Sequence, residues 1–425
     1  MTTIDDHPLR YSLANELHAR PFPVADTPCT VTFLAIKKPV AAVARDRNKD
    51  LAHLINLLDR HGAQHPQPQA THYAGQIGRH WLKWEQHTEF VTFTAITKNV
   101  SDRPFNPADF EVFPPDWLKA SEGQRITSAM IRVVERQEDD AVKASLLNWF
   151  EPESLAAARV LDDAAVCASD FRIDPAGHMR FALFASKAAG RRRTGRIIQR
   201  LCEIETYKAM SMLGFARVKK LTPRIGELDA KLTELMGQMT DNTAHPDELL
   251  PDLLSISTEL ETLSAQCSFR FGATGAYEAI VNQRIEVLRE ERFEGGQSFA
   301  DFMMRRYDPA IRTVKSTERR LQALSDRAIR AGELLRTRVD VERSAQNQAL
   351  LESMDRRADI ALRLQYTVEG LSVVAISYYA VSLVRDLLHP FAEDQLSKGM
   401  LTSAVTIPVV FCVWLAIRRI RKRLE

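Results

Sequence analysis

At 425 residues the chain is too long for one compact core, so more than one domain is expected. Its 45% apolar and 26% charged shares exclude a disordered or fibrous protein. A formal net charge of +2 gives no bulk attraction to nucleic acid; no nucleic-acid partner is expected, and only local basic clusters carry weight.

The first residues, MTTIDDHPLRYSLANELHARPF, have no apolar run and carry acids early, so a secretory signal is not expected and the bulk of the chain is placed in the cytoplasm. Glu16, His18 and Arg20 bring an acid, a base and a cation together, suited either to contact an anion or partner or to act as a structural clasp, the reading preferred here. VTFLAI (31–36), FVTFTAIT (90–97), ITSAMIRVV (126–134) and MRFALFA (179–185) read as strands, with a turn at Asp174-Pro175-Ala176-Gly177. Residues 46–60 and 153–161 read as helices. Together, residues 1–190 form an expected cytoplasmic α+β domain.

Most of the eleven histidines fall in this first part. His61 and His65 have the spacing of two helix-borne ligands, yet Gly62 and Pro66 point to a loop and no Cys/His cluster accompanies them, so no metal site is assigned. The five cysteines are scattered without a Cys-x-x-Cys pair, as in a protein of a reducing compartment.

From 191 to 308 the pattern is helical. Arg191, Arg192, Arg193 and Arg196 form a basic knot that could meet an anion or a partner, although a solvated loop before a helix explains it equally. Helices are expected at 196–216, 247–268 and 273–292, with Pro223 interrupting or starting one and Gly295-Gly296 making a break. Residues 309–366 carry no proline after Pro309 at their start and read as one stalk helix of roughly 80 Å. Val314, Leu321, Ala328 and Leu335, with Leu324 and Ala331, keep a heptad step that suits either self-association or packing on the chain's own domain.

The final segment carries the strongest signal. Gly399–Ile417 is free of charge and about 28 Å long as a helix, near the thickness of a bilayer core. Gly370–Val384 is shorter and spans if its flanks join it. The expected order is a transmembrane helix over 367–388, an outer loop at 389–398, a second transmembrane helix over 399–417 and a basic tail at 418–425. Arg418, Arg419, Arg421, Lys422 and Arg423 place the C-terminus, and with it the N-terminus, on the cytoplasmic side of an inner membrane. Glu369, Ser372 and Tyr379 share nearly one face of the first span and form a candidate pore or intramembrane polar face, although Ser and Tyr bridging helices with Glu369 among the headgroups is the reading preferred.

HPLRYSLANELHARPF (7–22), GRIIQRLCEIETYKAMSMLG (195–214), LLRTRVDVERSAQNQALLESMDRRADIALRLQ (334–365) and TVEGLSVVAISYYAVSLV (367–384) resemble a bacterial family of predicted membrane-anchored proteins of unknown function. More distantly, the order of α+β domain, stalk and hairpin resembles the CorA-type magnesium and divalent-cation transporters. That resemblance implies a homo-oligomer, a pentamer by analogy, and a divalent cation as cargo. The family's Gly-Met-Asn triplet is absent; Leu383-Val384-Arg385-Asp386 stands there, and Arg385 at a pore mouth would repel cations. No nucleotide loop, nucleophile elbow or catalytic cysteine setting is found, so no catalytic residue and no cofactor is assigned. The expectation is a membrane-anchored homo-oligomer in contact with lipid, with a cytoplasmic binding or regulatory domain; the alternative is a divergent cation transporter.

Overall fold

The structure is a computed structural model that describes residues 4–11, 13–14, 22–39, 43–241, 245–388 and 398–424. It is α+β, and the chain divides into two units: Met1–Asp241 with Pro251–Ala331, and Asn242–Leu250 with Gly332–Glu425.

The first unit is built on a nine-stranded sheet. In chain order its elements are β1 (Cys29–Lys37), α1 (Arg47–Arg60), β2 (His72–Ile77), β3 (His80–Gln86), β4 (Phe90–Lys98), α2 (Pro115–Lys119), β5 (Gln124–Glu135), α3 (Asp139–Trp149), β6 (Ala156–Val160), β7 (Ala165–Ser169) and β8 (Met179–Ala185). Then come α4 (Gly190–Thr240), α5 (Pro246–Leu288), β9 (Glu291–Arg292), α6 (Phe299–Phe302), a π-helical turn at Met303–Tyr307 and α7 (Asp308–Leu388). The spatial order is β2-β3-β4-β1-β5-β8-β7-β6-β9. Every named pairing is antiparallel except β5 with β8, so the sheet is mixed.

Both faces of this sheet are covered, which explains why β1 and most of β4 are buried at successive positions rather than at alternate ones, threonines included. On one face Val31, Phe33, Ile131 and Phe181 join Ile197, Leu201 and Ile204 of α4 and Ile285 of α5. On the other, Leu34, Phe93, Met130 and Phe184 join Leu54 and Leu58 of α1, Trp117 of α2 and Val142 and Leu146 of α3.

The four expected strands are present as β1, β4, β5 and β8, as is the helix expected over 46–60. Residues 153–161 are not helical: Ala156–Val160 is β6. Alanine favours a helix locally, but its small side chains also suit a strand buried on both faces, and here tertiary packing decides. The helix of that neighbourhood lies earlier, as α3. Pro223 does not interrupt α4, which runs through it, and the helices expected at 247–268 and 273–292 are the single α5. Residues 291–292 leave it to form the edge strand β9.

The heptad stripe of α7 is covered within this chain. Val314, Leu321, Leu324, Ala328 and Ala331 are all buried. Arg320 and Arg327 reach Asp229 of α4 at 2.8 and 3.0 Å, and Lys315 reaches Glu278 of α5 at 2.5 Å. The stripe offered to a second copy by its periodicity is therefore occupied at these positions by the molecule's own helices.

In the second unit, α7 continues to Leu388 and α8 (Lys398–Leu424) follows, with Pro408 inside it. Val373, Ser377, Tyr378 and Val381 of α7 and Thr402, Thr406 and Val410 of α8 line a common groove. Most of the expected outer loop, 389–397, lies outside the described residues.

Candidate functional site

A cavity of about 230 Å³ lies between the sheet and helices α4 and α5. Strand alternation places Lys83 and Glu85 of β3 on the same face, where register sets them opposite Thr94 and Thr92 of β4. Helical spacing places Gln199, Glu203 and Thr206 on the facing side of α4. Pro23, Phe33 and Phe90 supply apolar wall, and Arg284 closes one side from α5.

The polar groups form a chain of alternating sign. The Lys83 ammonium, nearly buried, lies 3.1 Å from Glu85 and donates to Gln199 Oε1 at 3.0 Å. Gln199 donates to Glu203 at 2.8 Å, and Glu203 pairs with Arg284. Each charge is thus compensated without a ligand, as burial demands. Cys202 also lines the cavity, but burial pushes its thiol far up, so it remains protonated and supplies no thiolate. What the arrangement offers is hydrogen-bond donors and acceptors on a polar floor beneath aromatic walls, suited to holding a small polar molecule.

The beginning of α4 is clasped by the chain's N-terminal part. The Ala25 N–H donates to the Arg191 carbonyl at 3.2 Å, and the Arg191 guanidinium donates to Asp26 at 3.0 Å. Pro23 approaches so closely that a Cβ at position 195 would lie 1.8 Å from its carbonyl oxygen; only glycine fits there. Arg191 is therefore a clasp residue, while Arg192 is exposed and Arg193 half-buried beside it. Glu16, His18 and Arg20 lie outside the described residues.

Next to the cavity, Glu89 is 1% exposed in the turn between β3 and β4. It pairs with Arg270, accepts the Tyr277 hydroxyl at 2.8 Å and lies 3.9 Å from the Lys37 ammonium. Burial lowers the Lys37 pKa, against the opposing pull of Glu89. Burial and the Glu89 carboxylate together push the Tyr277 phenol far up. The Tyr277 ring meets Tyr207, a cavity residue, at 5.5 Å.

Glu290, beyond the end of α5, is held differently. One carboxylate oxygen accepts the Ala300 N–H at 2.9 Å, and the other is buried with no hydrogen bond of good geometry among the described residues. Burial raises its pKa to about 7. The folded protein therefore holds this proton where the unfolded chain has lost it, and stability falls as pH rises from about 4.5 to about 7. Glu290→Gln is expected to be more stable than wild type at pH 8, with the difference vanishing below pH 4.5. Denaturant unfolding at both pH values checks this; an equal difference at both would refute the assignment.

His65 pairs with Asp59 at 2.6 Å, and His61 meets His80 edge to face. Among the described residues no group of three His, Cys, Asp or Glu side chains is placed to hold a metal ion.

On α7, Glu369 is half-buried, the Ser372 hydroxyl donates to the Val368 carbonyl at 2.8 Å, and Tyr379 is exposed. These residues leave the groove between α7 and α8 to Ser377, whose hydroxyl is buried with no partner among the described residues, and to Thr402 and Thr406. Arg385 also lines that groove, and pairs with Asp386 at 3.0 Å. Arg418 lies over the Trp414 ring at 5.0 Å, and Arg419 is exposed. Arg421, Lys422 and Arg423 continue the helix.

The cavity residues were not singled out from sequence. The available signal was polar Gln199, Glu203 and Thr206 interrupting an apolar helix, together with Lys83 and Glu85 inside an aromatic strand. A family model described as "Protein of unknown function (DUF3422)" matches residues 5–424. No curated protein matches the chain.

Proposed function

We propose, from the premise that this chain belongs to that family of proteins of unknown function, that it is a membrane-tethered binding protein. The helices α7 and α8 supply the tether, and the cavity of the sheet-bearing unit takes a small polar ligand. One observation carries the tether: the apolar windows of the two helices have mean hydropathies of 1.5 and 1.7 but are only 6% and 0% buried. A soluble core helix of that composition would be covered by its own protein. The Ser377, Thr402 and Thr406 groove supports pairing of the two spans, since small polar residues join helices in lipid. The basic Arg418–Arg423 stretch supports an inner-membrane topology with both termini cytoplasmic. Exposed Leu350, Leu351, Met354 and Leu364 on α7 support a homo-oligomer in which a second copy covers them.

Full-length protein is expected to stay with membranes through alkaline carbonate and leave them only in detergent, while a chain ending at residue 366 partitions to the soluble fraction. Carbonate release of the full-length chain would sink the tether. Flux of magnesium into proteoliposomes, reduced by Tyr379→Ala, would replace this reading with the transporter alternative.

A further inference from the structure

A second concavity of the sheet-bearing unit, about 710 Å³, opens where the end of β1 and the start of β5 meet α4 and α5. Its charged lining consists of Lys37, Lys38, Arg125, Arg217, Lys220 and Arg270, with no carboxylate among the lining residues. Antiparallel register gathers them: Lys37 sits opposite Gln124, so the end of one strand and the start of the other share one edge of the molecule. Arg217 and Lys220 lie one turn apart on α4, and Arg270 faces them from α5.

These cations are not equivalent. Arg270 and Lys37 are committed to Glu89, and Lys38 pairs with Glu122 at 2.6 Å. Arg125, Arg217 and Lys220 have no carboxylate partner among the described residues; Arg217 reaches only the Gln266 side-chain oxygen, at 3.3 Å. Phe269, 52% exposed, stands beside them. Holding uncompensated like charges around a concave wall is unfavourable, and an anion relieves it. Two guanidinium forks on rigid elements match the tetrahedral oxygens of a phosphate better than scattered ammonium groups do.

We propose that this groove binds a phosphate-bearing anion. Arg125 and Arg217 grip the phosphate oxygens, Lys220 adds charge, and Phe269 covers the apolar or aromatic part of a phosphate ester. A phospholipid headgroup and a soluble phosphate compound present the same chemistry.

The test uses the full chain in phosphatidylcholine nanodiscs, titrated calorimetrically with inorganic tripolyphosphate. Saturable binding is expected, weakened on the order of tenfold or more by Arg217→Ala and by Arg125→Ala. Lys219→Ala serves as the control, because Lys219 lies outside the groove with its ammonium 4.7 Å from the Phe215 ring. Arg125 and Lys220 are exposed and Arg217 is half-buried, so unchanged melting temperatures are expected to show that the variants fold. Repeating the titration in phosphatidylglycerol nanodiscs separates the sources: loss of tripolyphosphate binding there assigns the groove to a lipid headgroup, and retention assigns it to a soluble phosphate. Absence of saturable binding in phosphatidylcholine, or equal weakening by Lys219→Ala, overturns the proposal.

Discussion

Glu89→Ala is expected to lower the stability of the sheet-bearing unit by about 3–5 kcal/mol, the usual cost of removing one partner from a buried ion pair. Glu89 is the carboxylate at which Arg270, Lys37 and the Tyr277 hydroxyl converge, and the side chains of Lys37 and Arg270 are only 9% and 17% exposed. Without it, two cations remain side by side with little water to screen them. Glu89→Gln keeps an acceptor for Tyr277 but loses the charge, so it should fall between alanine and wild type. The double variant Glu89→Ala/Arg270→Ala should recover part of the loss, and with the single variant Arg270→Ala completing the cycle the coupling measures the pair. Denaturant unfolding of the detergent-solubilised chain, followed by tryptophan fluorescence, reads all four. A loss below about 1 kcal/mol for Glu89→Ala, within the range of an exposed pair, would show that the cluster is solvated.

The second large effect is expected at Gly195. Here the obstacle is backbone: a Cβ would lie 1.8 Å from the Pro23 oxygen and 2.7 Å from its carbonyl carbon, so no rotamer change relieves the clash. Either the segment at Pro23–Asp26 lifts or α4 shifts on the sheet, at a cost of about 1–3 kcal/mol. Gly195→Ala should therefore release the clasp, opening the chain near residues 22–28 to limited proteolysis. Gly226 provides the contrast on the same helix, since a Cβ there meets nothing within 4 Å. Gly226→Ala should stabilise α4 by about 0.5–1 kcal/mol through helix propensity alone. If Gly195→Ala behaves like Gly226→Ala, Pro23 does not sit on the helix.

The parts of the fold that could be read from sequence were those where local pattern and tertiary role agree. VTFLAI is apolar at every position but Thr32 because both faces of β1 are buried, and the run announces a strand. HWLKWEQ is also a strand, but the charges of Lys83 and Glu85 obscure it, and they are admitted only because Gln199, Glu203 and Arg284 arrive from distant helices. The cavity was illegible for the same reason, since its members gain meaning only from one another. Periodicity identified the stripe of Val314, Leu321 and Ala328 but not its occupant; two apolar faces within one chain and between two chains look alike in sequence. Gly195 lay within a segment singled out for its resemblance, yet nothing local says which glycine faces a proline carbonyl.

The position of β9 bears on how the chain is made. Strand β6 is paired on one side with β7 and on the other with β9, whose residues Glu291–Arg292 follow both α4 and α5 in sequence. A nascent chain that has emerged only as far as β8 has an open edge at β6 and a bare apolar face bearing Val31, Phe33, Ile131 and Phe181, because the helices that cover that face have yet to be synthesised. Such an intermediate invites strand addition by a neighbour. The sheet can close only when the long helical excursion is complete, so translation of α4 and α5 is a window of vulnerability during which chaperone protection of that face would matter most.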